Sequence, residues 1–370
     1  MLHNEQEKYY FWLAMTPNVG TKTLAKILEN YPDPEELFCE AEQGKTLNLG
    51  LGEKMTPKIT QILHKRADRA RFDEQLAYIN KKEIQVLTFI GDDYPPMLRE
   101  IYSPPPFLFV KGHAECLLKD CFAIVGTRHA TRRGMENTNN IAKELSENGL
   151  VIVSGMASGI DTAAHMGALS GNGKTIAVLG CGVDVVYPRE NERLYEEILE
   201  NGAIVSDYLP GTPADPRRFP PRNRIITGLS HGVLVAEGSL KSGASITANF
   251  ALEQNRDVFA LPADISLEQG KLPNHLISEG AQIALGAETI LDAYNINERN
   301  FSEETDEELL PQLDFLQQAL YNLLKQGDMT LEQLTDAAER PVPELMEALT
   351  MLEILGVVEK MPGNIIRIIR

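Results

Sequence analysis

Residues 150–170 have the sequence LVIVSGMASGIDTAAHMGALS, and this stretch decides the fold class. The continuous apolar run at 150–155 predicts a strand buried on both faces, and a helical segment at 160–170 follows it after a glycine-rich loop. Because the same succession recurs through residues 121–294, we predict an α/β fold with a Rossmann-like, doubly wound, mainly parallel sheet. The other predicted strands are 122–126, 175–180, 203–207, 232–238 and 257–262, and the other predicted helices are 133–148, 190–201, 222–230 and 243–256.

Two further regions flank this predicted core, which we place at residues 86–295. Apolar side chains at helical spacing in residues 1–85 predict a small helical domain of the sterile-alpha-motif or helix-hairpin-helix kind. Its turn at residues 16–22 (TPNVGTK) is compatible with a hairpin that holds a phosphate and equally with a plain helical turn. After the core we predict an acidic linker at 296–310 and a winged-helix-like domain at 311–370.

Proline marks the start of the core. Residues 86–110 contain the runs Tyr94-Pro95-Pro96 and Ser103-Pro104-Pro105-Pro106. Proline is disfavoured inside helices and central strands, so this segment predicts a boundary or an element at the edge of the sheet.

The charge of the chain is strongly acidic and unevenly distributed. The formal net charge is −18 over 370 residues, which disfavours nucleic-acid binding by an overall basic surface. Residues 301–370 contain 5 Lys and Arg against 14 Asp and Glu, so this segment carries half of the excess. The candidate recognition helix of the predicted winged-helix domain, residues 342–353, has three glutamates and no Lys or Arg. We predict that this domain does not read duplex DNA, and that it contacts protein or regulates access to the main site.

The sequence lacks the features of secreted and membrane proteins. No apolar run approaches the roughly 20 residues that span a bilayer, and the start MLHNEQEKYYFWLAM does not resemble a secretory signal. The four cysteines have no CxxC spacing. We therefore expect reduced thiols, no metal and no cofactor in a cytoplasmic protein without membrane contact.

Glycine-rich loops follow several of the predicted strands. Gly126-Thr127-Arg128 follows the first, residues 154–161 (SGMASGID) follow the second, residues 180–184 (GCGVD) follow the third, and Lys241-Ser242-Gly243 lies beyond the fifth. Glycine permits close backbone approach, and N–H groups at helix N-termini attract anions. Together these loops predict a phosphate-accepting rim, although any single one is also explained as a tight turn between strand and helix.

A local basic cluster stands out in this acidic chain. Four arginines and a phenylalanine occur in the eight residues 217–224 (RRFPPRNR). Arg128, Arg132 and Arg133 follow the first predicted strand, and Lys241 follows the fifth. This pattern is typical of a surface that binds backbone phosphates and stacks a base on an aromatic ring. The alternative is that these arginines are structural and pair with the excess of acidic side chains.

Catalytic signatures are absent from the sequence. Residues 173–175 (GKT) do not complete a P-loop, and no GxGxxG motif with a downstream acid is present. Ser154, Asp161 and His165 lie close together in sequence, but no GxSxG elbow accompanies them. We interpret Asp161 as a capping residue, His165 as partly buried and Ser154 as a phosphate ligand. We predict no catalytic residue.

Taken together, these segments resemble the bacterial DNA-processing protein A (DprA, or Smf) family. The resemblance covers residues 90–290 and rests on GTRHATRRG, SGMASGIDTAAH, VLGCGVDVVYP, FPPRNRIITGLS, EGSLKSGASITANFALEQNRDVFALPAD and LPNHLISEGAQ. It implies a core that binds single-stranded DNA, protects incoming strands and loads the RecA recombinase in natural transformation. It also implies a homodimer without established catalytic activity. The residues that it implies for DNA binding are Gly126, Thr127, Arg128, Ser154, Gly155, Gly159, Phe219, Arg222, Asn223, Arg224, Lys241, Ser242, Gly243 and Asn274.

Two other functions remain open at this point. Related folds hydrolyse nucleoside monophosphates, as phosphoribohydrolases do, but the segment 237–243 (EGSLKSG) lacks their PGGxGTxxE motif. A structural adaptor that binds protein is the other alternative. Under the adaptor hypothesis, the acidic C-terminal segment is a candidate to cover the basic cluster. For a homodimer interface, we suggest the apolar pair Leu276-Ile277.

Overall fold

The computed structural model describes residue 2 and residues 4–17, 19–296, 315–324, 329–338, 340–355, 358–361 and 365–368. The chain divides into two compact units, Met1–Ala293 and Tyr294–Arg370. Within the described ranges, no helix has the length and apolar character that a membrane span requires.

The first unit contains a nine-stranded sheet with helices on both faces. In chain order its strands are β1 (Gln85–Thr88), β2 (Phe107–Gly112), β3 (Cys121–Val125), β4 (Val151–Ser154), β5 (Thr175–Val178), β6 (Ala203–Ser206), β7 (Gly232–Val235), β8 (Asp257–Ala260) and β9 (Gln282–Ile283). Its helices are α1 (Glu5–Ala14), α2 (Thr21–Asn30), α3 (Pro34–Glu42), α4 (Thr56–Arg66), α5 (Arg69–Lys81), α6 (Pro96–Arg99), α7 (Arg132–Glu147), α8 (Ile160–Ser170), α9 (Glu192–Asn201), α10 (Phe219–Gly228), α11 (Gly243–Glu253), α12 (Lys271–Ser278) and α13 (Ala287–Ala293).

The spatial order of the strands is β1-β2-β6-β5-β4-β3-β7-β8-β9, and β3 to β9 are parallel. The predicted Rossmann-like fold class and all six predicted strands are confirmed. In the parallel part of the sheet, β4, β5 and β6 follow β3 in sequence and lie on one side of it. β7, β8 and β9 come later in sequence and lie on the other side of β3. The loops after β3 and β7 therefore diverge, and they open a crevice at the carboxyl edge of the sheet.

Three strands of this sheet were not predicted as strands, although an element at the edge of the sheet was one of the two predictions for residues 86–110. β1 and β2 lie in the proline-rich segment: β2 pairs antiparallel with β6, and β1 pairs antiparallel with β2 at the edge of the sheet. Prolines at 104–106 precede β2 directly, a position that proline tolerates because it costs no ladder hydrogen bond there. β9 has only two residues, both exposed, so it carries no apolar pattern. Helix α10 also begins earlier than predicted, because Pro220 and Pro221 occupy its first turn, where no intrahelical N–H bond is lost.

The N-terminal helices share a hydrophobic core with the sheet. Trp12 packs edge-on against Phe38, with ring centroids 4.9 Å apart, inside the helical layer. On the same helix, Phe11 packs edge-on against Phe107 and Phe109 of β2, at 5.1 and 5.7 Å. One continuous cluster of buried side chains thus runs from α1 to the sheet. The domain boundary at residue 85 stays a prediction.

The second unit is a winged helix, as predicted. It contains α14 (Phe315–Leu324), α15 (Leu331–Ala338) and α16 (Val342–Ile354), with a small antiparallel sheet. The strands of this sheet, in the order β10-β12-β11, are β10 (Met329–Thr330), β11 (Val358–Met361) and β12 (Ile365–Ile368). Glu344, Glu347 and Glu353 of α16 are exposed. The predicted acidic linker lies outside the described residues, except for Ile296.

Candidate nucleic-acid interface

A cavity of about 340 Å³ opens in the crevice between the carboxyl ends of β3 and β7. The loop after β3, the start of α10 and the start of α11 form its walls. Eight of the fourteen residues implied by the resemblance line it: Gly126, Thr127, Arg128, Phe219, Arg222, Asn223, Ser242 and Gly243.

The loop after β3 is fixed to β7 by Glu237. The Thr127 N–H donates to the Glu237 carbonyl oxygen at 2.8 Å. The buried carboxylate of Glu237 accepts from the N–H and the hydroxyl of Thr131, at 2.8 and 2.5 Å, and Thr131 in turn caps α7. A carboxylate at a helix N-terminus is electrostatically favourable. Glu237 therefore has a structural position that sets the shape of the loop.

Glycine is required where the loop after β4 meets the loop after β3. Gly159 has a φ of +83°, and a Cβ there would lie 2.5 Å from the Thr127 carbonyl oxygen. At Gly155 a Cβ would approach Arg222 Nη2 and Asp161 Oδ2 at 2.7 and 2.8 Å. Gly159 thus lets the backbones of the two loops meet, and Gly155 leaves room for the side chains of Arg222 and Asp161.

Arg222 lies at the base of the site and is buried. Its guanidinium donates to the carbonyl oxygens of Gly155, at 3.0 Å, and of Val178, and to Asn223 Oδ1 at 3.1 Å. Burial lowers the pKa of Arg222. Burial also raises the pKa of Asp161, and the charge of Arg222 opposes that shift. Arg222 thus ties the ends of β4 and β5 to α10.

The other arginines of the 217–224 segment are also engaged within the protein. Arg224 pairs with Asp207 at 2.7 Å, and both side chains are largely buried. Arg217 pairs with Asp215 at 2.7 Å on the surface. Arg218 donates to the carbonyl oxygen of Pro213 and lies 5.3 Å from the ring centroid of Tyr208. In this structure, the arginines of residues 217–224 therefore have structural partners, which is the alternative to phosphate binding that the sequence left open.

Arg128 is exposed at the mouth of the cavity. Its guanidinium carbon lies 5.3 Å from the centroid of the Phe219 ring, and the guanidinium of Arg222 lies at 5.9 Å from the same ring. Phe219 also stacks against Tyr187, with centroids 5.4 Å apart and an interplanar angle of 21°. Tyr187 is 39% exposed. Sequence reasoning missed Tyr187, although an aromatic residue at the end of the VVYP segment was a usable signal.

The N-terminus of α11 faces the cavity from the β7 side. Ser242 precedes the helix and Gly243 begins it, while Lys241 is exposed one residue earlier. Asn223 Nδ2 donates to the Gly243 carbonyl oxygen at 3.3 Å and so joins α11 to α10. Because the first N–H groups of a helix have no intrahelical acceptor, this end of α11 favours an anion.

Two predicted site residues have structural partners away from the cavity. Ser154 is buried, and its hydroxyl donates to the carbonyl oxygen of Ile124 at 2.6 Å. The amide of Asn274 bonds with both the N–H and the carbonyl oxygen of Ala263, at 3.1 and 2.8 Å. Neither lines the cavity wall, and neither do Gly155, Gly159, Arg224 and Lys241.

The residues considered for a catalytic triad are not arranged as one. His165 is fully buried, its Nδ1 lies 2.7 Å from the Thr175 hydroxyl, and burial lowers its pKa to about 3. Asp161 accepts from the Ala157 N–H at 3.3 Å. Among the residues that the structure describes, no group of three His, Cys, Asp or Glu side chains is placed to hold a metal ion.

The sequence of the chain is similar to two family models and to several bacterial proteins. The family model described as DNA recombination-mediator protein A matches residues 85–295, and the DprA winged helix domain matches residues 304–364. Protein Smf of Synechocystis sp. is 36% identical over 361 residues, which cover 95% of this chain and 88% of that protein. DNA processing protein DprA of Streptococcus pneumoniae is 45% identical over 204 residues, 55% of this chain and 72% of that one.

Two solved structures are similar to this one. DNA processing protein A of Streptococcus pneumoniae has a TM-score of 0.67 at 35% identity, covering 77% of this chain and 97% of that one. DNA processing protein A of Helicobacter pylori, described for its single-stranded DNA binding mode, has a TM-score of 0.53 at 30% identity. That similarity covers 58% of this chain and 97% of the other.

Proposed function

The chain belongs to the DNA recombination-mediator protein A (DprA/Smf) family, and from this we propose that it binds single-stranded DNA at the carboxyl edge of its sheet. We propose further that it protects incoming strands and loads the RecA recombinase onto them in natural transformation, which implies work in the cytoplasm. The observation that carries the DNA-binding proposal is the exposed Arg128 beside Phe219, above a cavity that meets the N-terminus of α11.

In this proposal the residues of the site divide into two groups. Arg128, Lys241 and the N–H groups of Ser242 and Gly243 hold backbone phosphates, while Phe219 with its neighbour Tyr187 stacks a base. The second group positions the first through backbone approach and internal hydrogen bonds. Its members are Gly126, Thr127, Ser154, Gly155, Gly159, Arg222, Asn223, Arg224 and Asn274.

We propose no catalytic step at this site. The Glu237 carboxylate, which a phosphoribohydrolase mechanism would need, already accepts two hydrogen bonds from Thr131. His165, the other candidate for proton transfer, is buried beside Thr175 with a strongly lowered pKa. Both observations support binding over hydrolysis.

Single-stranded DNA will bind more tightly than duplex of the same length. A duplex keeps its bases paired, so they are not available to stack on Phe219 and Tyr187, and we expect at least about a tenfold preference for the single strand. About three phosphate contacts would give a slope near −2 in a plot of log affinity against log salt concentration. Fluorescence anisotropy of labelled oligo-dT and its duplex, across a salt series, measures both quantities. Equal or tighter binding of the duplex would refute the proposal.

We propose that the homodimer forms through the edge of the sheet at β9. This strand pairs only with β8 in the described part of the chain, and edge strands offer unpaired backbone groups to another chain. Leu285, just after it, is 81% exposed, and Ile265 is 90% exposed. Leu276, suggested from the sequence, belongs to the protein's own core, and Ile277 packs against that core.

Substituting Leu285→Arg will dissociate this dimer. The change places a charge in an interface that would otherwise bury an apolar side chain, and because Leu285 is exposed in the single chain, folding should be unaffected. Light scattering after size-exclusion chromatography gives the mass of wild type and variant. Leu118→Arg, at an exposed leucine before β3, is the matched control and should stay dimeric. A dimer that persists in Leu285→Arg would exclude this edge as the interface.

A further inference from the structure

We propose that Arg66 and Arg71 form a second phosphate site, which holds the same DNA strand at a distance from the Arg128 cavity. This inference rests on the proposed function and adds a path for the strand toward the N-terminal helices. It concerns a cavity of about 240 Å³ between α4, α5 and the loop after β6. The cavity is lined by Trp12, Arg66, Arg71, Phe72, Gln75 and Leu209.

One of the two arginines is fixed and the other is exposed. Arg66 Nη1 donates to the Met15 carbonyl oxygen at 2.5 Å, and the Arg66 carbonyl oxygen accepts from Trp12 Nε1 at 3.2 Å. Arg71 lies in the first turn of α5, with its side chain in solvent. A half-buried guanidinium beside an exposed one, over an apolar floor, is a suitable arrangement for a phosphate whose other oxygens stay in water.

The guanidinium charges of this pair are not neutralised by an ion pair in the described part of the chain, although the Asp68 carboxylate accepts from the Arg71 backbone N–H at 3.1 Å. Burial lowers the pKa of Arg66, and the like charge of Arg71 lowers it further. In the part of the chain that the structure describes, neither guanidinium forms an ion pair with Asp or Glu. Two adjacent cations without a counter-ion, in a chain of net charge −18, indicate an anionic ligand.

The site lies on the same edge of the sheet as the Arg128 cavity. Leu209 follows the carboxyl end of β6, and β6 is parallel to β3, three strands away. At about 4.8 Å per strand, the carboxyl ends of β3 and β6 are roughly 14 Å apart. This distance corresponds to about four nucleotides at the 3.4 Å axial spacing of a stacked strand.

An aromatic and basic pair lies along the path between the two sites. Tyr208, next to Leu209, has the guanidinium of Arg218 at 5.3 Å from its ring centroid. Arg218 is adjacent in sequence to Phe219, which contacts Arg128 at the main cavity. Stacking surfaces that alternate with cations are typical of channels that bind single strands without sequence preference.

The test compares two lengths of oligo-dT as competitors of a labelled strand. Three nucleotides fill the Arg128 cavity only, whereas twelve nucleotides reach both sites. We expect Arg71→Gln to weaken binding of the twelve-nucleotide strand about tenfold and to reduce its salt slope by about 0.7. Binding of the trinucleotide should be unchanged. Arg71→Lys keeps the charge and should retain most of the affinity.

Lys119→Gln is the matched control. It removes one positive charge from an exposed residue just before β3, at the amino ends of the parallel strands. Oligonucleotides of both lengths should bind this variant as they bind wild type. Wild-type affinity of Arg71→Gln for the long strand would overturn the inference, and so would an equal loss for both lengths. If the wild-type chain binds neither strand, the proposed function itself fails. If Arg128→Ala weakens both lengths and Arg71→Gln neither, only the second site fails.

Discussion

Replacing Arg222 by methionine will lower the free energy of unfolding by about 3–5 kcal/mol. The substitution keeps much of the side-chain volume but removes the donors to Gly155, Val178 and Asn223. Two buried carbonyl oxygens then lose the guanidinium donor, and the buried Asp161 loses the nearby positive charge that opposes the rise in its pKa. Leaving buried polar groups unpaired is among the most destabilising effects of a single substitution.

Urea unfolding followed by tryptophan fluorescence measures this loss. Trp12 is the single tryptophan of the chain and lies in the core of the first unit, so it reports on that unit alone. Arg217→Met is the control, because that arginine is exposed and pairs with Asp215 on the surface. Its effect should stay within about 0.5 kcal/mol. A loss below about 1 kcal/mol for Arg222→Met would show that the buried guanidinium does not hold the strand ends together.

The sequence was sufficient for the sheet and for the edge on which the site lies. Strands buried on both faces have continuous apolar runs, so β3 to β8 were predictable without any knowledge of tertiary contacts. The position of glycine-rich loops after those strands then followed from the parallel topology. Edge strands have weaker patterns. β9, at one edge, has two exposed residues and no apolar pattern. β2 lies between β1 and β6 and contains the buried apolar run 107–110, but the prolines before it favoured a boundary or an edge element instead of an inner strand.

The roles of the individual arginines were not predictable in the same way. Arg222 and Arg224 are two residues apart on α10, yet one reaches the carbonyl oxygens of Gly155 and Val178 and the other pairs with Asp207. Sequence spacing gives the face of a helix but not the distant partner that it meets. Asp207 follows β6, and only the fold brings it to α10. The contact of Tyr187 with Phe219 depends on the fold for the same reason.

Replacing Arg128 by alanine will weaken binding of single-stranded DNA by roughly 2 kcal/mol, or about thirtyfold. Arg128 is exposed at the cavity mouth, and its guanidinium lies over the Phe219 ring. Its loss should therefore leave the stability of the fold nearly unchanged. The affinity should fall because one charge-assisted contact to a phosphate and one cationic stacking surface disappear together.

Arg132→Ala is the control for this substitution. Arg132 lies four residues further along the chain, is exposed, and pairs with Glu136 at 2.8 Å on α7. The Arg132→Ala substitution removes one positive charge, as Arg128→Ala does, from a residue that does not line the cavity. We expect its affinity to stay within about threefold of wild type, the size of an unspecific charge effect.

The decisive measurement is fluorescence anisotropy of one labelled oligo-dT titrated with wild type, Arg128→Ala and Arg132→Ala over a salt series. We predict tight binding by wild type and Arg132→Ala, and binding by Arg128→Ala that is about thirtyfold weaker at low salt, with a salt slope about 0.7 smaller. Equal affinities and slopes for all three proteins would contradict the location of the DNA site in the crevice between β3 and β7.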